Sequence, residues 1–536
     1  MNNIDFITKE LNIPEEYIYN YGKDIAKINY RYLNKLQSKD DGKLILVTAT
    51  NPTPFGEGKT TVSIGLCDAI NKLNKKAILS LREPSVGPVF GMKGTATGGG
   101  KAVLFPEEEI NLHFTGDLHA ITSANNLIAA VLDNMIFNKE LEVKEVVFKR
   151  TLDVNDRQLR EIITGLKKKS NGDVLESGFI ITAATEIMAI LCLATDFEDL
   201  RRRISKIIVA YDKNEKPIYV KDLKIVDSVL LLLKNALNPN LVRTIENSPA
   251  FVHGGPFANI AHGCSSILAT KLALKMSDYT ITEAGFGADL GAEKFINIKS
   301  RLNNLKINTV VVVTTIRSIK YNANVNIENI EKENLDAIRK GIVNVQRHIS
   351  NLENFGLNVY VAINKFNTDT EKELELVKKL LSNSEIVDVF DKGGSGAIDL
   401  AKKILENDIV IDNKINYCYE LEDSLMDKIN AVVTKIYRAD GIIVDEEIKE
   451  KILNIDNNYP ICIAKTPYSF SDNKNLLGAP TNFKFNIKDV IISNGAEFNI
   501  VIAGNTIRMP GLPKYPNANN IKIKELEDGY IVEGMK

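Results

Sequence analysis

The sequence predicts an α/β protein with a P-loop-containing parallel-sheet core, a mostly helical insertion and a C-terminal α/β domain. Three observations carry this prediction. A short apolar run rich in β-branched residues, 43–50, leads into a turn-rich loop and then into helical spacing at 62–73. A second apolar run at 77–82 completes a strand–loop–helix–strand unit, which is typical of a parallel sheet. Later runs at 309–317 and 359–365 are almost wholly apolar, as strands covered on both faces are.

The length and the charge of the chain limit its class. Its 536 residues allow about three or four structural units of ~150 residues each. Lys and Arg number 67 against 69 Asp and Glu, which gives a formal charge of -2. A balance this close to zero argues against nucleic acid or an anionic membrane as the main partner, and it leaves room for local anion sites.

Neither the N-terminus nor the apolar runs predict a membrane-bound or secreted protein. Since no run of about eighteen apolar residues occurs, we expect no transmembrane helix. The first residues are polar and acidic, without the basic and apolar regions of a signal peptide. The five cysteines are scattered and form no CxxC pair, which predicts buried free thiols. These features together predict a cytoplasmic protein.

Further elements are expected around the core unit. An amphipathic helix is predicted at 24–37, and a long helical stretch at 328–355. The block at about 145–240 differs from its surroundings and is interpreted as a mostly helical insertion. Its helices are expected over 153–168, 184–194 and 226–235. We divide the chain into a core domain, 1–410, which contains this insertion, and a C-terminal α/β domain, 411–536.

The loop between the first strand and the first helix of the core carries the most specific motif. Its sequence TPFGEGKT, residues 53–60, follows the phosphate-binding pattern GxxxxGK[ST] except that Thr53 stands where the first glycine would be. Because a strand is predicted before it and a helix after it, we expect nucleotide binding rather than a chance Gly-rich turn. The expected nucleotide-binding residues are Thr53, Pro54, Phe55, Gly56, Glu57, Gly58, Lys59, Thr60 and Thr61.

Each residue type in this loop suits a phosphate group. Gly56 and Gly58 let the backbone turn several N–H groups toward one point, and the following helix adds its positive end. Lys59 is expected to reach the outer phosphates, and the Thr60 hydroxyl is expected to hold Mg²⁺ bound with ATP. The loop alone indicates a nucleotide and not the reaction in which that nucleotide is used.

Blocks along the whole chain resemble one family. They include EPSVGPVFGMKG at 83–94, NLHFTGDLHAITSANNL at 111–127, HGGPFANIAHGC at 253–264 and EAGFGADLGAEKF at 283–295. Shorter blocks continue to MPGLPK near the C-terminus. With TPFGEGKTT these blocks are similar to formate–tetrahydrofolate ligase, also called formyltetrahydrofolate synthetase, in its monofunctional form.

The resemblance implies a carbon–nitrogen ligase of one-carbon metabolism. Formate, ATP and tetrahydrofolate would give 10-formyltetrahydrofolate, ADP and phosphate through a formyl phosphate intermediate. It also implies Mg–ATP as the nucleotide substrate, a monovalent cation such as K⁺ or NH₄⁺ as an activator, and a homotetramer. Neither nucleic acid nor a membrane is an expected partner.

The resemblance also assigns roles to individual residues. Lys59 and Arg82 would be catalytic, since a guanidinium at the end of a strand suits formyl phosphate. Glu83 and Asp117 would bind the pterin of the folate, although Asp117 also suits the N-cap of a helix. The rings of Phe366 and Phe390 would enclose the pterin, and the alternative is that both belong to the core. Those four residues are the expected folate site.

Several positions depart from the pattern of the family. Lys101 and Val103 stand where relatives usually carry Tyr and Gln, and Phe390 lies in a block that usually carries Trp. Glu497 stands where glycine is common, and the segment between Leu381 and Val389 is short. The main alternative is therefore a diverged ATP- and folate-binding homologue with weak or lost ligase activity. A P-loop switch ATPase and a shorter carboxylate ligase resembling dethiobiotin synthetase fit the sequence less well.

Overall fold

A large mixed sheet, most of it parallel, organises the molecule. The computed structural model describes residues 3–92, 96–407, 414–504, 507–526 and 529–535. Within that part of the chain twelve strands form the central sheet. Ten of them are hydrogen-bonded in this spatial order: Ile18–Tyr21, Ile25–Ile28, Asn240–Thr244, Pro249–Val252, Ala77–Leu81, Tyr279–Glu283, Lys43–Ala49, Thr309–Thr314, Val359–Asn364 and Ser384–Val387.

The sheet has a large parallel part and a smaller antiparallel part at one side. From Pro249–Val252 to Ser384–Val387 every neighbouring pair is parallel. Asn240–Thr244 is antiparallel to both of its neighbours, and the short hairpin Gly98–Gly99 and Ala102–Phe105 joins the sheet beside it. The α/β class and the mostly parallel core predicted from the sequence are confirmed.

The first strand–loop–helix–strand unit forms where the sequence predicts it. Its elements are Lys43–Ala49, the helix Lys59–Lys72 and Ala77–Leu81. The two strands are not neighbours, however, because Tyr279–Glu283 lies between them and pairs with both. Thr280 and Thr282 make this inserted strand unusually polar for a buried position. The Thr282 hydroxyl is satisfied because it donates to the Ser80 carbonyl oxygen at 2.7 Å.

Helices cover both faces of the central sheet and build the regions beside it. The longest are Asp117–Phe137 and Leu335–Asn354, and the latter confirms the helical stretch predicted at 328–355. The other α-helices are Ile4–Glu10, Tyr32–Lys35, Val86–Phe90, Glu107–Asn111, Glu186–Leu193, Phe197–Ser205, Val226–Leu233, Ile267–Met276, Arg301–Asn303, Ile316–Asn322, Glu371–Leu380, Val389–Lys392, Ile398–Glu406, Leu425–Lys435 and Glu446–Leu453. Two π-helical segments, Ala288–Ala292 and Phe295–Ser300, follow the strand Tyr279–Glu283.

The helix Asp117–Phe137 is also long and apolar enough to cross a membrane by length and composition. Among the described residues it is the one helix that passes this test. Its side chains Leu118, Ile121, Ile128 and Leu132 belong to the largest hydrophobic core, so part of its apolar surface packs inside the protein.

Two helices predicted from the sequence are wrong. The segment 24–37 forms the strand Ile25–Ile28 and only one helical turn, because the strand pairs with Asn240–Thr244. The segment 153–168 contains a 3-10 turn, Arg157–Leu159, and the strand Ile162–Thr164 instead of a helix.

The predicted insertion is therefore less helical than expected. The helices expected at 184–194 and 226–235 are confirmed by Glu186–Leu193 and Val226–Leu233. The same region also contains short strands outside the central sheet: Val143–Val146, Arg150–Thr151, Ile162–Thr164, Leu175–Ser177, Phe179–Ile180, Ile208–Asp212 and Pro217–Tyr219.

The C-terminal region forms sheets of its own. Ile461–Lys465 pairs with Phe498–Ala503, which also pairs with Asp489–Ser493. Ile442–Val444 pairs with Phe485–Ile487, and Lys522–Leu526 with Gly529–Glu533. The domain boundary predicted at 410/411 lies outside the described residues.

One departure from the family pattern has a structural role in this region. Glu497 has a φ of 62°, in the left-handed region that favours the glycine common at this position. Its carboxylate forms ion pairs with Arg202, with Arg203 at 3.3 Å and with Lys206 at 2.9 Å. These contacts attach the C-terminal sheet to the helix Phe197–Ser205, so Glu497 acts in packing between regions.

Candidate functional site at the carboxyl edge of the sheet

The predicted site residues collect at one edge of the central sheet. The 53–60 loop follows Lys43–Ala49, and Arg82 and Glu83 follow Ala77–Leu81. Phe366 and Phe390 follow the parallel strands Val359–Asn364 and Ser384–Val387. Because the carboxyl ends of parallel strands meet at the same edge, these loops face a common region, which is where α/β proteins bind ligands.

The backbone of the 53–60 loop depends on its two glycines. Gly56 and Gly58 have φ values of 74° and 70°, in the left-handed region. A Cβ atom on Gly58 would lie 2.3 Å from Nδ2 of Asn364, so this position also needs the absence of a side chain. Gly58 caps the helix that begins at Lys59. The loop therefore presents the N-terminus of the helix at the edge of the sheet.

A buried glutamate holds the loop in place. The Glu57 carboxylate accepts hydrogen bonds from the Thr53 N–H at 2.9 Å and from the Thr315 hydroxyl at 3.1 Å. Nδ2 of Asn364 donates to the Glu57 carbonyl oxygen at 3.0 Å. Burial raises the pKa of Glu57, and the hydrogen bonds from Thr53 and Thr315 oppose that rise. Glu57 thus fixes Thr53, the residue that replaces the first glycine of the pattern.

Thr60 contacts the last residue of the strand Tyr279–Glu283, and Lys59 contacts the segment that follows it. Nζ of Lys59 donates to the Phe286 carbonyl oxygen at 2.9 Å. The Thr60 hydroxyl donates to Oε2 of Glu283 at 2.9 Å. Glu283 belongs to the candidate site and was missed by the sequence reasoning, because the parallel strand that it ends was not recognised from the sequence.

Arg82 lies on the other side of Glu283. Its Nη2 is 4.0 Å from Oε1 of Glu283, and its Nη1 donates to the Pro256 carbonyl oxygen at 3.3 Å. A Cβ atom on Gly285 would lie 3.1 Å from Nη1 of Arg82, so the guanidinium passes close to the backbone there. Glu283 therefore connects Thr60 of the loop with Arg82 of the next strand end.

Glu83 and Asp117 lie in a buried charged cluster. Both carboxylate oxygens of Asp117 contact Nζ of Lys27, at 2.8 and 2.9 Å, and Nδ2 of Asn240 donates to Oδ2 at 2.9 Å. Gly116 is the N-cap of the helix Asp117–Phe137, so the alternative that Asp117 caps the helix is wrong. Lys27 was missed because 24–37 was interpreted as a helix, and Asn240 was missed because its strand was not predicted.

Glu83 differs from Asp117 because one of its carboxylate oxygens is available to bind a ligand. Its Oε2 has no hydrogen-bond partner within the described ranges, although the side chain is buried. Burial raises the pKa of Glu83 well above its usual range, and repulsion from Asp117 adds to the rise. A ligand that presents N–H donors would stabilise the ionised form of Glu83 and satisfy this oxygen.

The two predicted stacking residues have different surroundings. The guanidinium carbon of Arg317 lies 4.8 Å from the ring centroid of Phe366 and 5.7 Å from that of Phe55. Phe390 is 55% exposed, so the alternative that it belongs to the core is wrong. Because Arg317 lies against both rings, Phe55 of the 53–60 loop is close to Phe366.

Glycines bring a hairpin against Phe390. A Cβ atom on Gly99 would lie 3.2 Å from the Phe390 ring, and one on Gly100 would lie 2.2 Å from its carbonyl oxygen. The Lys101 N–H donates to that carbonyl oxygen at 2.8 Å. These glycines therefore permit tight packing on Phe390, and the backbone of Lys101 holds the segment that carries the ring.

Fold and site together define an α/β protein that gathers lysine, arginine, carboxylate and aromatic side chains at the carboxyl edge of a mostly parallel sheet. A comparison with known families now gives the particular family. The sequence model described as formate–tetrahydrofolate ligase matches residues 1–535. The chain belongs to this family and is a ligase. The resemblance recognised from the sequence is confirmed.

Proposed function

We propose that this chain forms 10-formyltetrahydrofolate from formate, ATP and tetrahydrofolate through formyl phosphate. Family membership supports formate–tetrahydrofolate ligase activity in general, with ATP and tetrahydrofolate as substrates. The observation that carries the finer proposal is that Thr60 and Arg82 both contact Glu283 at one edge of the sheet, while Lys59 contacts the Phe286 carbonyl oxygen three residues further on.

The first step activates formate. A formate oxygen attacks the γ-phosphorus of ATP, the bond to the β,γ-bridging oxygen breaks, and ADP leaves. Negative charge on the transferring phosphoryl group must be neutralised during this step. Lys59 would exchange its contact with the Phe286 carbonyl for a phosphate oxygen, and Arg82 would hold the phosphoryl or formyl oxygens. Formate needs this activation because oxide is a very poor leaving group.

The second step transfers the formyl group. N10 of tetrahydrofolate attacks the formyl carbon, the bond to the phosphate oxygen breaks, and phosphate leaves while N10 loses its proton. Glu83 would accept hydrogen bonds from the pterin, and Asp117, held in its ion pair with Lys27, would be the second carboxylate beside the pterin. Phe366 and Phe390 would flank the ring. Exclusion of water would protect formyl phosphate from hydrolysis.

Magnesium would arrive with ATP. Within the described residues no group of three or more His, Cys, Asp or Glu side chains could hold a metal ion by itself. The oxygen donors of Thr60 and Glu283 suit Mg²⁺, which takes most of its remaining ligands from phosphates and water. A monovalent cation activator, a homotetramer, a cytoplasmic location and a division into 1–410 and 411–536 belong to the same proposal.

The test is an assay of ADP release from Mg–ATP in four mixtures: no addition, formate, tetrahydrofolate, and both. We expect ADP release to require both substrates and to equal the 10-formyltetrahydrofolate formed. Absence of turnover with ATP and tetrahydrofolate still bound would favour the second candidate, a diverged homologue. The observation behind that candidate is the altered hairpin at Lys101 and Val103, which contacts the Phe390 segment.

Replacement of Phe390 by alanine tests the folate half of the site. We expect the KM for tetrahydrofolate to rise about tenfold, because stacking on an aromatic ring stabilises a bound heterocycle by about 1–3 kcal/mol. The KM for ATP should change little. Phe6→Ala is the matched control, since Phe6 is 45% exposed on the N-terminal helix Ile4–Glu10. Equal rises in both KM values would show that Phe390 only supports the local fold.

A further inference from the structure

A buried hydrogen-bond network surrounds Asn51, two residues before the 53–60 loop. Nδ2 of Asn51 donates to Oδ1 of Asp289 at 3.1 Å and to the Pro467 carbonyl oxygen at 3.2 Å. Oδ1 of Asn51 accepts from Nδ2 of Asn344 at 2.9 Å. Nε2 of His348 lies 3.2 Å from the Asn51 backbone nitrogen and 3.0 Å from its Oδ1. Asn51 is 1% exposed, so its amide groups rely on these partners.

The network is anchored by an ion pair from the C-terminal region. Nζ of Lys465, the last residue of the strand Ile461–Lys465, is 2.6 Å from Oδ2 of Asp289, and both side chains are 0% exposed. Nζ of Lys465 also donates to the carbonyl oxygens of Thr466, at 3.1 Å, and Ser469. The ammonium group of Lys465 thus contacts three oxygens, and Asp289 connects it to Asn51 by accepting a hydrogen bond from the Asn51 amide.

The segment between Phe286 and Asp289 also contacts Lys59, near the end of the 53–60 loop. Asp289 lies three residues after Phe286, whose carbonyl oxygen accepts the hydrogen bond from Lys59. A Cβ atom on Gly287 would lie 2.6 Å from Oδ1 of Asp289 and 3.2 Å from the Thr50 carbonyl oxygen, so the turn is packed against the start of the loop. Through Asp289, Lys465 therefore supports Asn51, which precedes the loop, and the segment containing Phe286, which contacts Lys59.

A buried ion pair is a costly way to stabilise a fold. The two charges lose their hydration, and apolar side chains of the same volume often give equal or greater stability. Such a pair does, however, impose one geometry on the groups that it joins, because every other arrangement leaves a buried charge unpaired. The free-energy cost of burying Lys465 and Asp289 is therefore consistent with a role in fixing the geometry of the neighbouring 53–60 loop.

We propose that Lys465 is a positioning residue for the nucleotide site: through Asp289 and Asn51 it sets the conformation of the 53–60 loop. The inference rests on the proposed function, because it assumes that this loop binds ATP. It makes the C-terminal region part of the nucleotide-binding half of the enzyme, with no contact between Lys465 and the nucleotide required. Asp289 and Asn51 are positioning residues in the same sense.

The test compares Lys465→Met with Lys428→Met in the full-length protein. Lys428 is also a fully buried lysine of the C-terminal region, and its Nζ donates to the Tyr459 carbonyl oxygen at 3.1 Å. We expect Lys465→Met to raise the KM for Mg–ATP about tenfold or more while the KM for tetrahydrofolate changes less than about threefold. Lys428→Met should leave both KM values near those of the wild type.

Lys465→Met leaves Asp289 buried without a counter-ion, so loss of folding in this variant must be distinguished from loss of nucleotide binding. A second variant makes that distinction. In Lys465→Met with Asp289→Asn neither charge remains, so we expect this double variant to fold and still to show the raised KM for Mg–ATP. A wild-type KM in the double variant, or equal effects of Lys465→Met and Lys428→Met, would overturn the proposal.

Measurement of Mg–ATP binding distinguishes failure of the role proposed for Lys465 from failure of the proposed reaction. If the wild type binds Mg–ATP without turning over, the reaction proposal fails, and the ratio of dissociation constants between wild type and variants decides the role of Lys465. If the wild type does not bind Mg–ATP at all, the nucleotide site and the role of Lys465 fall together.

Discussion

Replacement of Lys59 by alanine is expected to lower the rate of formate-dependent ADP production by about 10³-fold or more. Lys59 begins the helix behind the 53–60 loop, and its ammonium group is the cation expected to meet the transferring phosphoryl group. Loss of one charged partner in phosphoryl transfer costs about 4 kcal/mol of transition-state stabilisation, which corresponds to roughly that factor. The measurement is the initial rate of ADP release with formate and tetrahydrofolate present.

The matched control for Lys59→Ala is Lys72→Ala on the same helix. Lys72 lies in the last turn and forms an ion pair with Glu246 at 3.0 Å, far along the helix from the loop. We expect the control to keep near wild-type turnover, because a partly exposed ion pair contributes little to stability. Near-normal turnover in Lys59→Ala would contradict the assignment of the loop as the nucleotide site.

The part of the site that depends on local sequence was predictable. A glycine-rich loop between an apolar strand and a helix can be recognised from neighbouring residues alone, and the structure has Gly56 and Gly58 in left-handed conformations. The rule that ligand sites lie at the carboxyl ends of parallel strands led to Arg82, whereas Glu83, Phe366 and Phe390 were predicted from the resemblance to the family.

The residues that were missed depend on distant partners. The segment 24–37 has helical spacing, yet pairing with Asn240–Thr244 makes part of it a strand and brings Lys27 to Asp117 across the sheet. The strand that ends at Glu283 is obscured by buried threonines, and the Thr282 hydroxyl reaches its backbone partner, the Ser80 carbonyl oxygen, only in the folded sheet. No pattern within one segment carries this information, because long-range pairing overrides local propensity.

Replacement of Asp117 by asparagine is expected to lower the free energy of unfolding by about 3 kcal/mol or more. The side chains of Lys27 and Asp117 are 2% and 3% exposed, and removal of one partner leaves the Lys27 ammonium buried without its counter-ion. The Asn238 carbonyl oxygen, 3.0 Å from Nζ, accepts a hydrogen bond and carries no compensating charge. Urea-induced unfolding, followed by circular dichroism, measures the loss.

The double variant Lys27→Met with Asp117→Asn separates stability from ligand binding. Because no buried charge is left unpaired, we expect it to regain most of the lost free energy of unfolding. If Asp117 also binds the pterin, the KM for tetrahydrofolate should stay raised in the double variant although its stability is restored. Recovery of both properties would make the ion pair purely structural, whereas equal stability of the single and double variants would show that Lys27 finds another partner.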